Sequence, residues 1–512
     1  MKSRALSNSA VHSGWVVISG VWHTIKVMRP YAVRNQVQLI TYPDSLGHNL
    51  TGLRHILETY LKDAIGGIHI LPFYPSSADR GFAPLTHLAV DSRFGDWEDI
   101  RSIGSMYDLM ADLTVNHISC ESPYFKDYLE KGDRSKYADL FLDVDTFLLR
   151  HGAVYDALLD THRPRPALPY TEFRFQDGVT RKIWTTFTKD QVDLDVTQEA
   201  TRKLMKRFIG RLIENNVKII RLDAVGYAVK KPWTKSFLIP ETYEFMRWIR
   251  STVPQHVSVL AEVHHGHRER MTILDEGVAD YIYDFSLPML VLHALYKGNV
   301  EALENWITIR PSRQFTTLDT HDGIGVVDVE GLMAPQDISF TLEKLREYGG
   351  NALDRASGRN AENVDIYQMN TTYYSALGED DDAYITARAI QFLIPGIPQV
   401  YYVGLLAGAN DVALLERTGN GRDINRHGYT LGEFKDAFGK SVVRRLTRLM
   451  RLRNSHPAFH GMFTQERVSD TTLILRWELD DLYLEGVVDV HNKRVNLEYV
   501  DPFTGRVKIQ TC

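Results

Sequence analysis

VKIIRLDAVGY, residues 217–227, carries a β-branched run directly into an arginine and an aspartate. Residues 217–222 read as a strand. Arg221 and Asp223 stand two positions apart, hence on one face of it, and Asp223 falls where the strand gives way to the next connection. Three more segments share that placement: DLTVNH (112–117), EVH (262–264) and LDTHDG (318–323) also fall at the ends of expected strands. Charged groups gathered at the carboxyl ends of parallel strands are where a barrel of βα units keeps its active face.

Outward from this segment, short β-rich runs alternate with helical patterns from Val37 onward, which implies βαβ units and a parallel sheet. Strands are expected at 37–42, 68–73 and 109–115 upstream, and at 257–261, 281–285, 315–318 and 400–403 downstream. With 217–222 they make the number that closes a (β/α)8 barrel. After the first strand, Leu53, Ile56, Leu57, Tyr60 and Leu61 recur at helical spacing, so that segment should be a helix with one buried face. The fold class is α/β: a TIM barrel with an inserted lid domain, a second long-loop subdomain and a C-terminal antiparallel β domain.

The connection between the third and fourth strands, about 100 residues, is far longer than an ordinary βα loop and is rich in Asp, Pro and aromatic residues. Residues 118–195 of it are read as the lid. Residues 323–380 form the second overhanging loop, with Gly349-Gly350-Asn351 and the polar run 356–364 suggesting loop rather than core. From 458 to 512 alternating segments replace the helical pattern and suggest the small β domain. The barrel then comprises 29–117 and 196–457. Residues 1–28 are an extension, read as poorly ordered, with Met28 an alternative start of translation.

An apolar fraction of 44% and a charged fraction of 24% are ordinary for a globular protein. A net charge of -6 gives no reason to expect a nucleic-acid partner. The apolar stretch 15–22 is too short to span a bilayer. Cys120 and Cys512 have neither zinc nor disulfide-framework spacing, which fits the reducing cytoplasm. His264, His265 and His267 lack an HExxH helix, so no metal is expected, and no cofactor either.

Retaining chemistry at a glycosidic bond needs two carboxyl groups, one attacking the anomeric carbon and one protonating the leaving oxygen. Asp223 and Glu262 suit these roles: Arg221 favours a charged Asp223, while partial burial and nearby negative charge favour a proton on Glu262. Asp322, beside His321, is placed to grip sugar hydroxyls. Any one such carboxylate reads equally as a helix cap or structural ion pair. Four segments at one face argue for a site.

The four segments resemble the signature regions of the α-amylase superfamily, glycoside hydrolase family 13. From Val37 to the C-terminus the chain is similar to its sucrose phosphorylase subfamily, through VQLITYPD (37–44), HILPFYPSSADRGF (69–82), RPRP (163–166), RLDAVGY (221–227), LDTHDGIGV (318–326), VDIYQMNTTYYSALG (364–378), PGIPQVYYVGLLAG (395–408) and GRDINRH (421–427). The resemblance implies Asp223 as nucleophile, Glu262 as acid/base and Asp322 as transition-state stabiliser. Around the glucosyl unit it implies Asp79, Phe82, His117, Phe187, Gln191, Arg221, His264, His321 and Arg426. On the acceptor side it implies Pro164, Arg165, Asp365, Ile366, Tyr367 and Gln368, and a guanidinium such as Arg165 suits phosphate.

The implied activity is reversible phosphorolysis of sucrose to α-glucose 1-phosphate and fructose, in a cytoplasmic monomer or homodimer using sucrose, inorganic phosphate, glucose 1-phosphate and fructose, with no membrane partner. Ala83 stands where many subfamily members carry an acidic residue, and the C-terminal segment looks closer to relatives acting on glucosylglycerol or phosphorylated sucrose. Phosphorolysis of glucosylglycerol, glucosylglycerate or sucrose 6-phosphate is therefore the alternative, followed by α-glucoside hydrolysis and, more remotely, a non-catalytic carbohydrate-binding barrel.

Overall fold

The computed structural model of the chain describes residues 33–163, 168–354 and 366–512. The extension expected at 1–28 lies outside the described residues. Eight strands close a barrel: β1 (Gln38–Thr41), β2 (Gly67–Ile70), β3 (Asp108–Thr114), β4 (Val217–Asp223), β5 (Ser258–Ala261), β6 (Tyr281–Asp284), β7 (Gln314–Thr317) and β8 (Ile397–Tyr401). Each pairs in parallel with its sequence neighbours, and β8 returns to β1.

The strands coincide with those expected, except that the eighth begins at Ile397 instead of 400. Pro398 lies inside it, opposite Thr316. A proline has no N–H to give to the ladder and reads as a strand breaker from sequence alone.

Period-two alternation decides what fills the barrel and what crowns it. Met110, Ile219, Leu260, Tyr281, Tyr283, Phe315 and Ile397 form one buried apolar cluster. Two positions further along the same faces stand Asp112 after Met110, Arg221 after Ile219 and Glu262 after Leu260. The interior is thus apolar toward the amino ends of the strands and charged toward their carboxyl ends.

Helix Leu50–Thr59 is capped by Asn49, whose side chain accepts from the Gly52 N–H, and it buries Leu50, Leu53, Ile56 and Leu57. Helix Asp381–Leu393 begins at the acidic run, with Asp380 accepting from the N–H groups of Asp382 and Ala383.

The long connection after β3 starts and ends in an antiparallel pair, His117–Ser119 against Gln191–Asp193, with His117 opposite Asp193 and Ser119 opposite Gln191. Within it, the hairpin Tyr170–Arg174/Thr180–Trp184 and helix Val144–Arg150 share a small core of Leu142, Val144, Phe147, Leu148, Ala157, Leu158 and Trp184.

In the connection after β7 the polar run 356–364 lies outside the described residues, and the described part holds more regular structure than the loop-like reading. It contains helix Pro335–Glu347 and an antiparallel sheet of Ile324–Gly325, Ile366–Asn370 and Asn351–Asp354. The helix buries only Thr341 and Leu345, so its apolar periodicity is faint in the sequence.

The chain finishes in a five-stranded antiparallel sheet running from Met462 to Thr511, packed on the barrel helix Asp381–Leu393 through Trp477, whose Nε1–H donates to the Leu393 carbonyl. Cys120 and Cys512 are free thiols. Among the described residues no helix is long and apolar enough to cross a membrane.

Candidate active site

A cavity of about 860 Å³ opens at the carboxyl ends of the barrel strands. Asp223, Glu262 and Asp322 line it, together with Asp79, Phe82, His117, Phe187, Gln191, His264, His321, Tyr367 and Gln368. Arg221 and Arg426 stand behind this wall, each about fully buried. Pro164, Arg165 and Asp365, with the side chain of Ile366, lie outside the described residues.

Arg221 organises the charged layer. Its Nη1 donates to Asp112 and, at 2.9 Å, to Asp223, while Nη2 lies 4.0 Å from Glu262 Oε1. Asp112 also holds His69 at 2.7 Å, and although burial would raise its carboxyl, His69 and Arg221 bring it down to about 2. Glu262 Oε2 accepts from the Ala224 N–H at 2.9 Å. Ala224 takes a φ of 53°, a left-handed conformation for a residue with a Cβ, and the turn it makes directs that N–H back toward β5.

The surroundings of Asp223 pull on its charge in opposite directions. Burial pushes its carboxyl well above the usual range; Arg221 pulls the other way, and Glu262 and Asp112 push it higher still. Burial and neighbouring negative charge outweigh the guanidinium.

Asp322 behaves oppositely. Burial would raise it, but Arg422 at 3.0 Å, His321 and Arg426 hold it far below the ordinary carboxylate value. His321 stacks on Phe82 with ring centroids 4.8 Å apart and planes within 4°, and burial drives its imidazole down to about 3. The Phe82 carbonyl in turn lies 2.9 Å from both His117 Nε2 and Gln191 Nε2, which the paired strands at the root of the lid bring side by side. Asp79 is presented by a turn in which Asp79 and Arg80 both have positive φ, 49° and 46°. Arg422 and Arg426 each approach it to 3.9 Å.

On the outer side, Phe187, Tyr227 and Phe237 form an aromatic wall with centroids 5.2 and 4.6 Å apart. The Tyr367 and Tyr227 side chains are hydrogen-bonded. Beneath the wall the buried Lys230 ammonium holds Asp193 at 2.6 Å and both Asn116 Oδ1 and the Tyr227 carbonyl at 2.5 Å, tying the β4 loop to the lid root.

Tyr227, Phe237 and Arg422 line the cavity, yet the sequence reading did not single them out. Tyr227 and Arg422 sit inside quoted motifs, RLDAVGY and GRDINRH, and only their side-chain directions were missing. Phe237 carries no local signal at all. Among the described residues no group of three His, Cys, Asp or Glu is arranged to hold a metal ion.

This arrangement can bind a polar ring, deliver and accept a proton, and offer an attacking carboxylate. Residues 40–316 match the family model described as the alpha amylase catalytic domain. Over 484 residues the chain is 43% identical to the glucosylglycerol phosphorylase of Marinobacter adhaerens, covering 94% of this chain and 100% of that one. It is 44% identical over 451 residues to the sucrose phosphorylase of Streptococcus mutans, covering 87% and 93%. The crystal structure of sucrose 6F-phosphate phosphorylase from Thermoanaerobacter thermosaccharolyticum superimposes with a TM-score of 0.91 at 41% identity, covering 94% of this chain and 99% of that one.

Proposed function

The chain belongs to the α-amylase family, and from that premise we propose that it phosphorolyses sucrose with retention, using Asp223 as nucleophile, Glu262 as general acid and base, and Asp322 as stabiliser of the transition state. It is an enzyme of the glycosyltransferase-type phosphorylases, as its full-length relatives are. One observation carries the residue roles: a single buried guanidinium lies 2.9 Å from Asp223 and 4.0 Å from Glu262, behind the wall of a cavity whose size suits a disaccharide.

Sucrose enters with its glucosyl ring against Asp79, Phe82, His117, Gln191, His321 and Asp322. The first step requires a charged Asp223 and a proton on Glu262. Glu262 gives that proton to the fructosyl oxygen as an Asp223 oxygen attacks C1; the C1–O bond breaks and fructose departs. A phosphate oxygen then attacks C1 from the vacated side, the C1–Asp223 ester bond breaks, and Glu262 takes the phosphate's proton. Two inversions leave α-glucose 1-phosphate. Asp322, held charged by Arg422, faces the positive charge that develops on the ring in both steps. For the acceptor side the reading retains Pro164, Arg165, Asp365, Ile366, Tyr367 and Gln368, with Phe187, Tyr227 and Phe237 as the wall that keeps water out.

A second reading takes glucosylglycerol as donor. It is favoured by the alignment of the Marinobacter adhaerens enzyme over its whole length and by Ala83 in place of an acidic residue. The two are separated by running the reaction backwards: glucose 1-phosphate is offered with fructose, fructose 6-phosphate, glycerol or glycerate, and phosphate release is measured. The sucrose reading expects fructose to be preferred; preference for any other acceptor overturns it. Glucose release from sucrose at full rate without phosphate would instead mark a hydrolase.

A further inference from the structure

Behind Glu262 lies a buried chain of polar groups that the scheme above does not use. His264 lines the cavity with its Nε2 3.5 Å from Glu262 Oε1, while its Nδ1 lies 2.8 Å from Asp328 Oδ2. The ring is clamped flat on Phe285, centroids 4.0 Å apart and planes within 12°. Asp328 belongs to the short turn Val327–Val329 and is fully buried. Its other carboxylate oxygen accepts from Arg270 Nη1 at 3.0 Å, and its carbonyl accepts from Ser286 Oγ at 2.5 Å and Arg270 Nη2 at 3.3 Å. Arg270 comes from helix His267–Asp275, so the carboxylate is held from two sides, by this helix and by His264, while Ser286 fixes the backbone beneath it.

Gly325 makes the contact possible. A Cβ at that position would lie 2.0 Å from Asp328 Oδ2 and 3.2 Å from His264 Nδ1, with no unusual backbone angle to explain the glycine otherwise. The glycine gives the carboxylate and the imidazole room to meet.

We propose that Asp328 is a positioning residue for the second half of the reaction: braced by Arg270, it fixes His264 as an N–H donor beside Glu262, so that an anionic acceptor is taken in preference to water. This rests on the phosphorylase reading. A carboxylate on Nδ1 determines which ring nitrogen carries its hydrogen, and a second carboxylate facing Nε2 favours a hydrogen there as well. The groups facing His264 are Asp328, Glu262 and Asp322, with the Tyr367 ring 6.0 Å away and Arg270 behind Asp328. Burial opposes a charged imidazole, but Asp328 and Glu262 outweigh it and raise His264 above the ordinary histidine value. An imidazolium beside Glu262 attracts phosphate more than it attracts water.

The test compares wild type, Asp328→Asn and Gly325→Ala with sucrose and graded inorganic phosphate, measuring fructose, glucose and glucose 1-phosphate separately across pH 5.5–8.5. Loss of a charge-assisted contact is worth about tenfold or more, so both variants should raise the KM for phosphate by roughly that factor and divert product toward glucose. The burst of fructose from the first turnover, before any acceptor attacks, reports the first step and should change far less. His264 is charged below its raised pKa and loses the charge as pH rises through it, so in the variants weakening of phosphate use should begin at lower pH. If Asp328→Asn does not fold, Gly325→Ala, which keeps the carboxylate and only displaces it, carries the test. A folded variant with wild-type phosphate KM and product ratio overturns the positioning role. Wild type that makes no glucose 1-phosphate overturns the phosphorylase reading itself, a different result.

Discussion

Replacing Arg221 by methionine tests the electrostatics of the whole charged layer. The guanidinium is buried, donates to Asp112 and to Asp223 at 2.9 Å, and lies 4.0 Å from Glu262. Removing one partner of a buried charge network costs about 3–5 kcal/mol of stability. The kinetic effect is separable from that. Arg221 is the group that pulls the Asp223 carboxyl down, so Arg221→Met should push it higher still. The nucleophile must be ionised, so the acid limb of the pH profile for fructose release from sucrose should move to higher pH, costing about tenfold in kcat/KM on the acid side for each pH unit it moves. Arg221→Lys restores charge without the planar fork and should fall between the two. An Arg221→Met enzyme that keeps the wild-type acid limb would refute the idea that Arg221 governs Asp223.

Stability should depend on pH with opposite signs at two neighbours. Folded Asp223 holds its proton more tightly than the unfolded chain, so its contribution is present below the unfolded carboxyl pKa and is lost as pH rises toward its folded value; Asp112, lowered to about 2, contributes stability above the unfolded value that is lost as pH falls through about 2. Asp322→Asn, which takes the charge from the group Arg422 holds at 3.0 Å, should lower kcat by about 100-fold or more, measured by steady-state kinetics. Lys230→Met leaves Asp193 buried without its cation and should cost about 3–5 kcal/mol, seen as a lowered melting temperature, with a raised KM for sucrose as the lid root loosens. At Gly226 a Cβ would meet the Phe237 ring at 2.6 Å. Gly226→Ala should therefore disturb acceptor use in the reverse reaction more than fructose release from sucrose.

The barrel was legible because period two and β-branched runs report strands directly, as 217–222 shows against the observed Val217–Asp223. It was less legible where a local rule is broken by its tertiary setting, as at Pro398. The three carboxylates could be read because they fall at strand ends, and strand ends converge in any barrel. Phe237 could not: it reaches the cavity from the β4 loop by packing on Tyr227, a contact set by the folded path and not by spacing. The state of Asp223 was also beyond reach. Arg221 is visible two residues away in sequence, but the burial that outweighs it exists only once the barrel has closed.

In the first step the Asp223 carboxylate is expected to bond to the anomeric carbon. The direct measurement uses Glu262→Gln with α-glucosyl fluoride, whose fluoride leaves without acid help, followed by rapid quenching, proteolysis and mass spectrometry. A gain of one glucosyl residue on the peptide containing Asp223, discharged when azide or phosphate is added, is the predicted result. Fluoride release with no labelled enzyme, or a glucosyl group on any other residue, would contradict it.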